Sequence, residues 1–101
     1  MDLLFEVNTP LGVKVRITNT YWDYLIKIKH PVMRGREGIV KEILLSPDEI
    51  RRSRADEDVH LYYKEIGRLY CVVAKHLNAE GFLISAFPVD KLKEGERIWI
   101  R

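Results

Sequence analysis

The sequence predicts an α+β fold: an N-terminal hairpin and helices packed on one face of an antiparallel meander sheet. Three observations carry that expectation. The second half holds three β-rich runs, His60 to Ile66, Arg68 to Leu77 and Gly81 to Val89. Only Gly67 and Asn78-Ala79-Glu80 separate them, and connections that short join antiparallel neighbours. Helical periodicity precedes these strands in the chain, the order of an α+β domain rather than of alternating crossover units.

The N-terminal elements follow from local chemistry. Leu3 to Val7 and Val13 to Ile17 flank the turn Asn8-Thr9-Pro10-Leu11-Gly12, which reads as a hairpin. Val13, Val15 and Ile17 alternate with Lys14 and Arg16, the period of a half-buried strand. Thr18, Asn19 or Thr20 is placed to cap a helix carrying Tyr21, Trp22, Leu25 and Ile26, which Pro31 ends. A second helix is expected over residues 36–45, with Ile39, Ile43 and Leu44 on one face. Ser46-Pro47-Asp48-Glu49 resembles a capping box, so a short third helix is expected from Pro47 to Arg52 or Arg54. Lys91 to Ile100 adds a turn and an edge strand.

Composition bounds what such a domain does. At 101 residues the chain is one domain, spanning 1–101, and buries roughly two-thirds of its unfolded surface. The single cysteine, Cys71, excludes an internal disulfide and a cysteine-rich zinc module. No two histidines have metal-ligand spacing, so neither a metal nor a cofactor is expected. No apolar run approaches the ~20 residues of a membrane span, and the N-terminus lacks the basic region of a signal peptide. A cytoplasmic location away from membranes is the expectation.

Charge is uneven along the chain. Residues 27–54 hold eight basic and four acidic residues, on a chain of net charge +2. Lys29, Arg34, Arg36 and Arg51 belong to that basic stretch, which surrounds His30 and suits a phosphate-bearing ligand. On charge alone, solvated helical faces are the preferred account of such charges. His30 has the side chain of a general acid or base, although the end of a helix also favours a histidine for electrostatic reasons. His60 and His76, at strand ends, read as ordinary surface residues. Ser85 lies in an apolar strand and must find a hydrogen-bond partner or face a site. If Gly67 sits in a tight turn that pairs Glu65 with Arg68, Tyr62 lies opposite Cys71, and Leu61 and Tyr63 meet the helices together with Tyr70, Val72 and Ala74. Tyr62 then joins His60, Cys71, Val73 and Lys75 on the open face.

The ordered landmarks carry a resemblance. Thr9-Pro10-Leu11-Gly12, Tyr21-Trp22, Lys29-His30-Pro31, Ser46-Pro47-Asp48-Glu49-Ile50-Arg51-Arg52-Ser53, Leu61-Tyr62-Tyr63, Cys71-Val72-Val73, Ile84-Ser85-Ala86-Phe87 and Lys93-Glu94-Gly95-Glu96 occur in that sequence order. The set resembles small prokaryotic and phage proteins of the barnase–EndoU–colicin–RelE ribonuclease superfamily. The resemblance implies metal-independent cleavage of RNA by 2′-OH attack, in a toxin-like or phage-derived setting. A cognate antitoxin or inhibitor protein is implied as a partner beside RNA. It also assigns His30 as acid or base, and Arg52, Arg54, Lys75 and Ser85 as the remaining catalytic set. Tyr62, Tyr63, Lys29, Arg34, Arg36 and Arg51 are then the substrate-binding residues. Phe87 stands where similar sequences carry a tyrosine, so the phenol is missing here. The alternative class is a catalytically silent module that binds nucleic acid or protein, and a third is an inhibitor-like partner pairing through the Trp99 edge strand.

Overall fold

The computed structural model describes residues 2–92 and 94–101. Lys93, in the Lys93-Glu94-Gly95-Glu96 landmark, therefore lies outside the described residues. Strands β1 (Leu3–Asn8) and β2 (Lys14–Thr18) form the expected antiparallel hairpin, with Phe5, Val7, Val15 and Ile17 buried between exposed or half-buried neighbours. Gly12 turns the chain at φ 76°, the left-handed region that an L side chain rarely adopts.

Thr18 caps the first helix by accepting a hydrogen bond from the Tyr21 amide at 3.1 Å. Helix α1 (Asn19–Tyr24) passes directly into a π-helical turn, Leu25–Lys29. That turn closes with the His30 amide on the Leu25 carbonyl, 2.7 Å away. Pro31 then prevents continuation, and a 3-10 turn (Pro31–Met33) inserts the fully buried Met33. Helix α2 (Glu37–Leu45) buries Val40, Ile43 and Leu44.

The expected third helix is absent: Glu49–Arg52 is strand β3. The Ser46 amide bonds to the Glu42 carbonyl, so Ser46 finishes α2 instead of starting another helix. Pro47 is fully buried, and β3 lies between β4 (Val59–Glu65) and β7 (Glu96–Ile100), antiparallel to both. Two ladders of hydrogen bonds outweigh one local cap.

Strands β4, β5 (Leu69–Leu77) and β6 (Glu80–Pro88) form the meander. The described residues form an α+β fold with two α-helices and a seven-stranded, mostly antiparallel sheet in the order β1-β2-β6-β5-β4-β3-β7. Its parallel contact is between β2 and β6, over Lys14–Arg16 and Glu80–Phe82.

Two turn lengths differ from expectation. Glu65 pairs with Leu69, so Ile66-Gly67-Arg68 forms a three-residue turn and shifts the β4 faces by one residue. Tyr62 therefore opposes Val72 and joins the main core with Tyr70 and Ala74. Leu61, Tyr63 and Cys71 form a second cluster on the alternate face, with Val73, Phe87 and Val89 against it. The second detail concerns Ser85. Leu77 pairs with Glu80, so the β5–β6 turn is two residues long, and that parity alone would put Ser85 opposite Val72. A bulge beside Val73 and Ala74 restores it to Val73, on the face shared with Lys75.

Candidate functional site

The register sets where each candidate residue falls. His30 leaves the π-helical turn half-buried, its ring centroid 4.9 Å from that of Phe87 with planes 40° apart. Burial, and secondarily the Lys29 charge, hold the imidazole pKa below its usual value. At neutral pH the ring is neutral and able to accept a proton.

Lys29 has a structural partner. Beyond Phe82, β2 no longer pairs with β6, leaving the Ile84 carbonyl without a strand partner. The Tyr21 hydroxyl donates to it at 2.7 Å and Lys29 Nζ at 3.2 Å. Along the same edge Pro88 has no N–H to expose. The helix thus closes the gap that the diverging hairpin leaves.

Three of the other candidate cations, Arg51, Arg52 and Lys75, have carboxylate partners. Arg51 Nε donates to the buried Glu49 at 2.5 Å, and its guanidinium lies 6.0 Å from the Tyr63 ring centre. Arg52 pairs with Glu96 at 2.8 Å, and Lys75 with Asp56 at 3.5 Å. Arg54 is exposed, at the rim of a cavity of about 300 Å³ with Ser53, Ala55, Leu61, Glu94 and Gly95. Ser85 is buried and its Oγ has no hydrogen-bond partner.

Tyr62 lies in the core, its hydroxyl 2.8 Å from His76 Nε2, and burial pushes its pKa up to about 12. His60 and His76 are not surface residues: both are buried, with rings stacked at 3.8 Å. For His76 the parity with Val72 and Ala74 on its own strand was the signal; His60 shares its face with Tyr62 and turns inward with it through the one-residue shift of β4. On the alternate face, burial pushes the Cys71 thiol up to about 12, too high for a reactive thiolate.

His30 sits beside β6, whereas Arg52 and Arg54 lie on and just after β3. Three strand spacings separate those positions, about 14 Å at ~4.8 Å each. Arg52 and Arg54 thus belong to a different part of the sheet from His30. The stretch around His30 has a different character. Lys27, Lys29, Arg34 and Arg36 occur there with no acid between Asp23 and Glu37. None of the four has a carboxylate partner among the described residues. Arg36 instead donates to the Val32 carbonyl.

Among the described residues no cluster of three or more histidine, cysteine or acidic side chains is arranged to hold a metal. No helix among them is long and apolar enough to cross a membrane. Fold and side chains together define an α+β domain with an uncompensated cationic turn at a neutral histidine. Comparison with protein families, curated proteins and solved structures gave no match to the chain.

Proposed function

We propose that this domain binds RNA through the cationic turn that surrounds His30. The observation that carries the reading is the run Lys27, Lys29, Arg34 and Arg36, none neutralised by a carboxylate, while Arg51, Arg52 and Lys75 each are. Cations already paired must give up a partner to take a phosphate; unpaired ones release only counterions. In this reading the helices form a layer on the sheet face carrying Tyr62, Tyr70, Val72 and Ala74. The RNA follows the helix end past His30 and Phe87.

Fluorescence polarisation with a labelled single-stranded RNA tests it. The Lys27→Ala, Arg34→Ala, Arg36→Ala triple variant should bind at least about tenfold more weakly in low salt. Each lost phosphate contact should also reduce the salt slope by about 0.7. Lys29 is left intact there because it supports the Ile84 carbonyl. Equal affinity and equal slope in the triple variant would remove the basis of the proposal.

A second reading, metal-independent cleavage, is favoured by one observation: the neutral, half-buried imidazole of His30. His30 would take the ribose 2′-OH proton, that oxygen would attack the adjacent phosphorus, and the P–O5′ bond would break as the leaving 5′-oxygen takes a proton from water, to which the imidazolium then returns its own. Cations of the turn would stabilise the charge on the phosphorane. RNA incubated with the protein in EDTA should then yield 2′,3′-cyclic phosphate ends. His30→Ala should slow that cleavage by about two to four orders of magnitude. Binding without cleavage would leave the RNA-binding reading standing alone.

A further inference from the structure

On the sheet face opposite the main core, Leu61, Tyr63 and Cys71 are buried as a cluster of their own. The connection from β6 to β7 passes over them. Gly95, at φ 86°, brings it in so closely that a Cβ there would stand 2.8 Å from the Arg52 carbonyl oxygen and 3.2 Å from Leu61 Cδ1. Two cavities adjoin beneath it. One, of about 300 Å³, has Arg54 and Glu94 in its walls. The other, of about 100 Å³ and more enclosed, reaches Tyr63, Cys71 and Phe87. Leu61 and Glu94 line both. The charges at this cleft are unmatched: among the described residues, neither Arg54 nor Glu94 pairs with an opposite charge, nor do they pair with each other. The neighbouring Arg51 and Arg52 do, with Glu49 and Glu96. Burial chiefly, and the Glu94 charge in addition, raise the pKa of both Tyr63 and Cys71, so that carboxylate is felt in the inner cavity.

We infer that this cleft binds a small zwitterion with an aliphatic side chain, either a free amino acid or a short peptide. Arg54 takes the ligand's carboxylate and Glu94 its ammonium, both through charge-assisted hydrogen bonds. The side chain passes over Leu61 into the smaller cavity. An apolar cavity of roughly 150 Å³ holds benzene, so one of about 100 Å³ suits a branched aliphatic group. A few polar groups at the opening of an apolar pocket are the ordinary design of a small-molecule site. Charge complementarity selects the class. A fatty acid would leave Glu94 facing a like charge, and a simple amine would leave Arg54 unused. A phosphate at Arg54 would likewise meet the Glu94 carboxylate. The inference is independent of the RNA-binding reading, which uses the cations around His30.

Calorimetry with the full chain tests it, with leucine, leucyl-glycine, 4-methylpentanoate and isopentylamine as probes. The last two are leucine without its ammonium and leucine without its carboxylate. The zwitterion should bind about tenfold or more tightly than either, because each deletion leaves one protein charge without its partner. Glu94→Gln should weaken leucine by about tenfold and leave 4-methylpentanoate no weaker. Arg54→Gln should weaken leucine equally and leave isopentylamine unchanged. Both residues are exposed, so both variants should keep the parent circular dichroism spectrum. In methyl NMR spectra, the bound zwitterion should shift the signals of Leu61 and Val89 and leave Ile28, on the helix side, in place. Tighter binding of leucine assigns the site to free amino acids, and tighter binding of leucyl-glycine assigns it to short peptides; both support the inference. Absence of binding by either at about 10 mM would overturn it. So would equal affinity for leucine and its two truncated forms, unchanged leucine affinity in either variant, or a shift at Ile28 with none at Leu61.

Discussion

His60 and His76 are the residues whose environment departs most from what their identity suggests. Their planes lie 8° from parallel, and both bond to the Asp58 carbonyl, one through its ring at 3.2 Å and one through its amide at 2.7 Å. Burial lowers the pKa of each. The Arg52 charge lowers His60 further while Asp58 opposes it, and His60 adds to the lowering of His76, which falls to about 4. The folded pKa lies below the unfolded value near ~6.5, so the contribution to stability is complete above that pH. It is lost as pH falls towards 4, and for His76 it amounts to roughly 3 kcal/mol. Melting temperature should therefore fall steadily between about pH 6.5 and 5, above the range in which most carboxylates titrate. His76→Gln should flatten that part of the curve; the same slope in the variant would assign the pH dependence elsewhere.

Among the elements, α1 and β3 show how far local signals reach. Thr18, the apolar spacing of Trp22, Leu25 and Ile26, and Pro31 all act within one segment, so that helix and its end were legible. The Ser46-Pro47-Asp48-Glu49 signal was equally local, yet it was overruled by β4 and β7, whose residues lie far along the chain. Trp22, 4% exposed within the main core, should cost ~3–5 kcal/mol when replaced by alanine. Trp99, on the edge strand, is only partly buried. Iodide should quench Trp99 more readily than Trp22. Equal, easy quenching of both would contradict the packing of α1.

At the scale of the molecule, the hairpin and the meander are joined where β2 meets β6. Gly81 sits at that junction, paired with Val15 on one side and His76 on the other. A Cβ there would lie 2.6 Å from the Lys75 carbonyl oxygen, which as backbone cannot move aside cheaply. Gly81→Ala should destabilise the fold by about 1–3 kcal/mol through that clash. A larger loss of protection from hydrogen exchange in β1 and β2 than in β4 would show that the junction holds the hairpin in place. Uniform protection in the variant would mean that the hairpin is held by the helices instead.

The sequence by itself determined the α+β class, the N-terminal hairpin, both α-helices and the three-strand meander. Each depends on periodicity and turn residues acting over a few positions. Tertiary structure alone decided that Glu49–Arg52 is a strand, that β2 runs parallel beside β6, and that Tyr62 faces the core. It also decided which cations are neutralised: Arg52 by Glu96, Lys75 by Asp56, and those around His30 by no carboxylate among the described residues. Strand partners and ion pairs are made between residues remote in sequence, and a single residue in a turn or bulge reverses every side chain beyond it. Neither is written in local pattern.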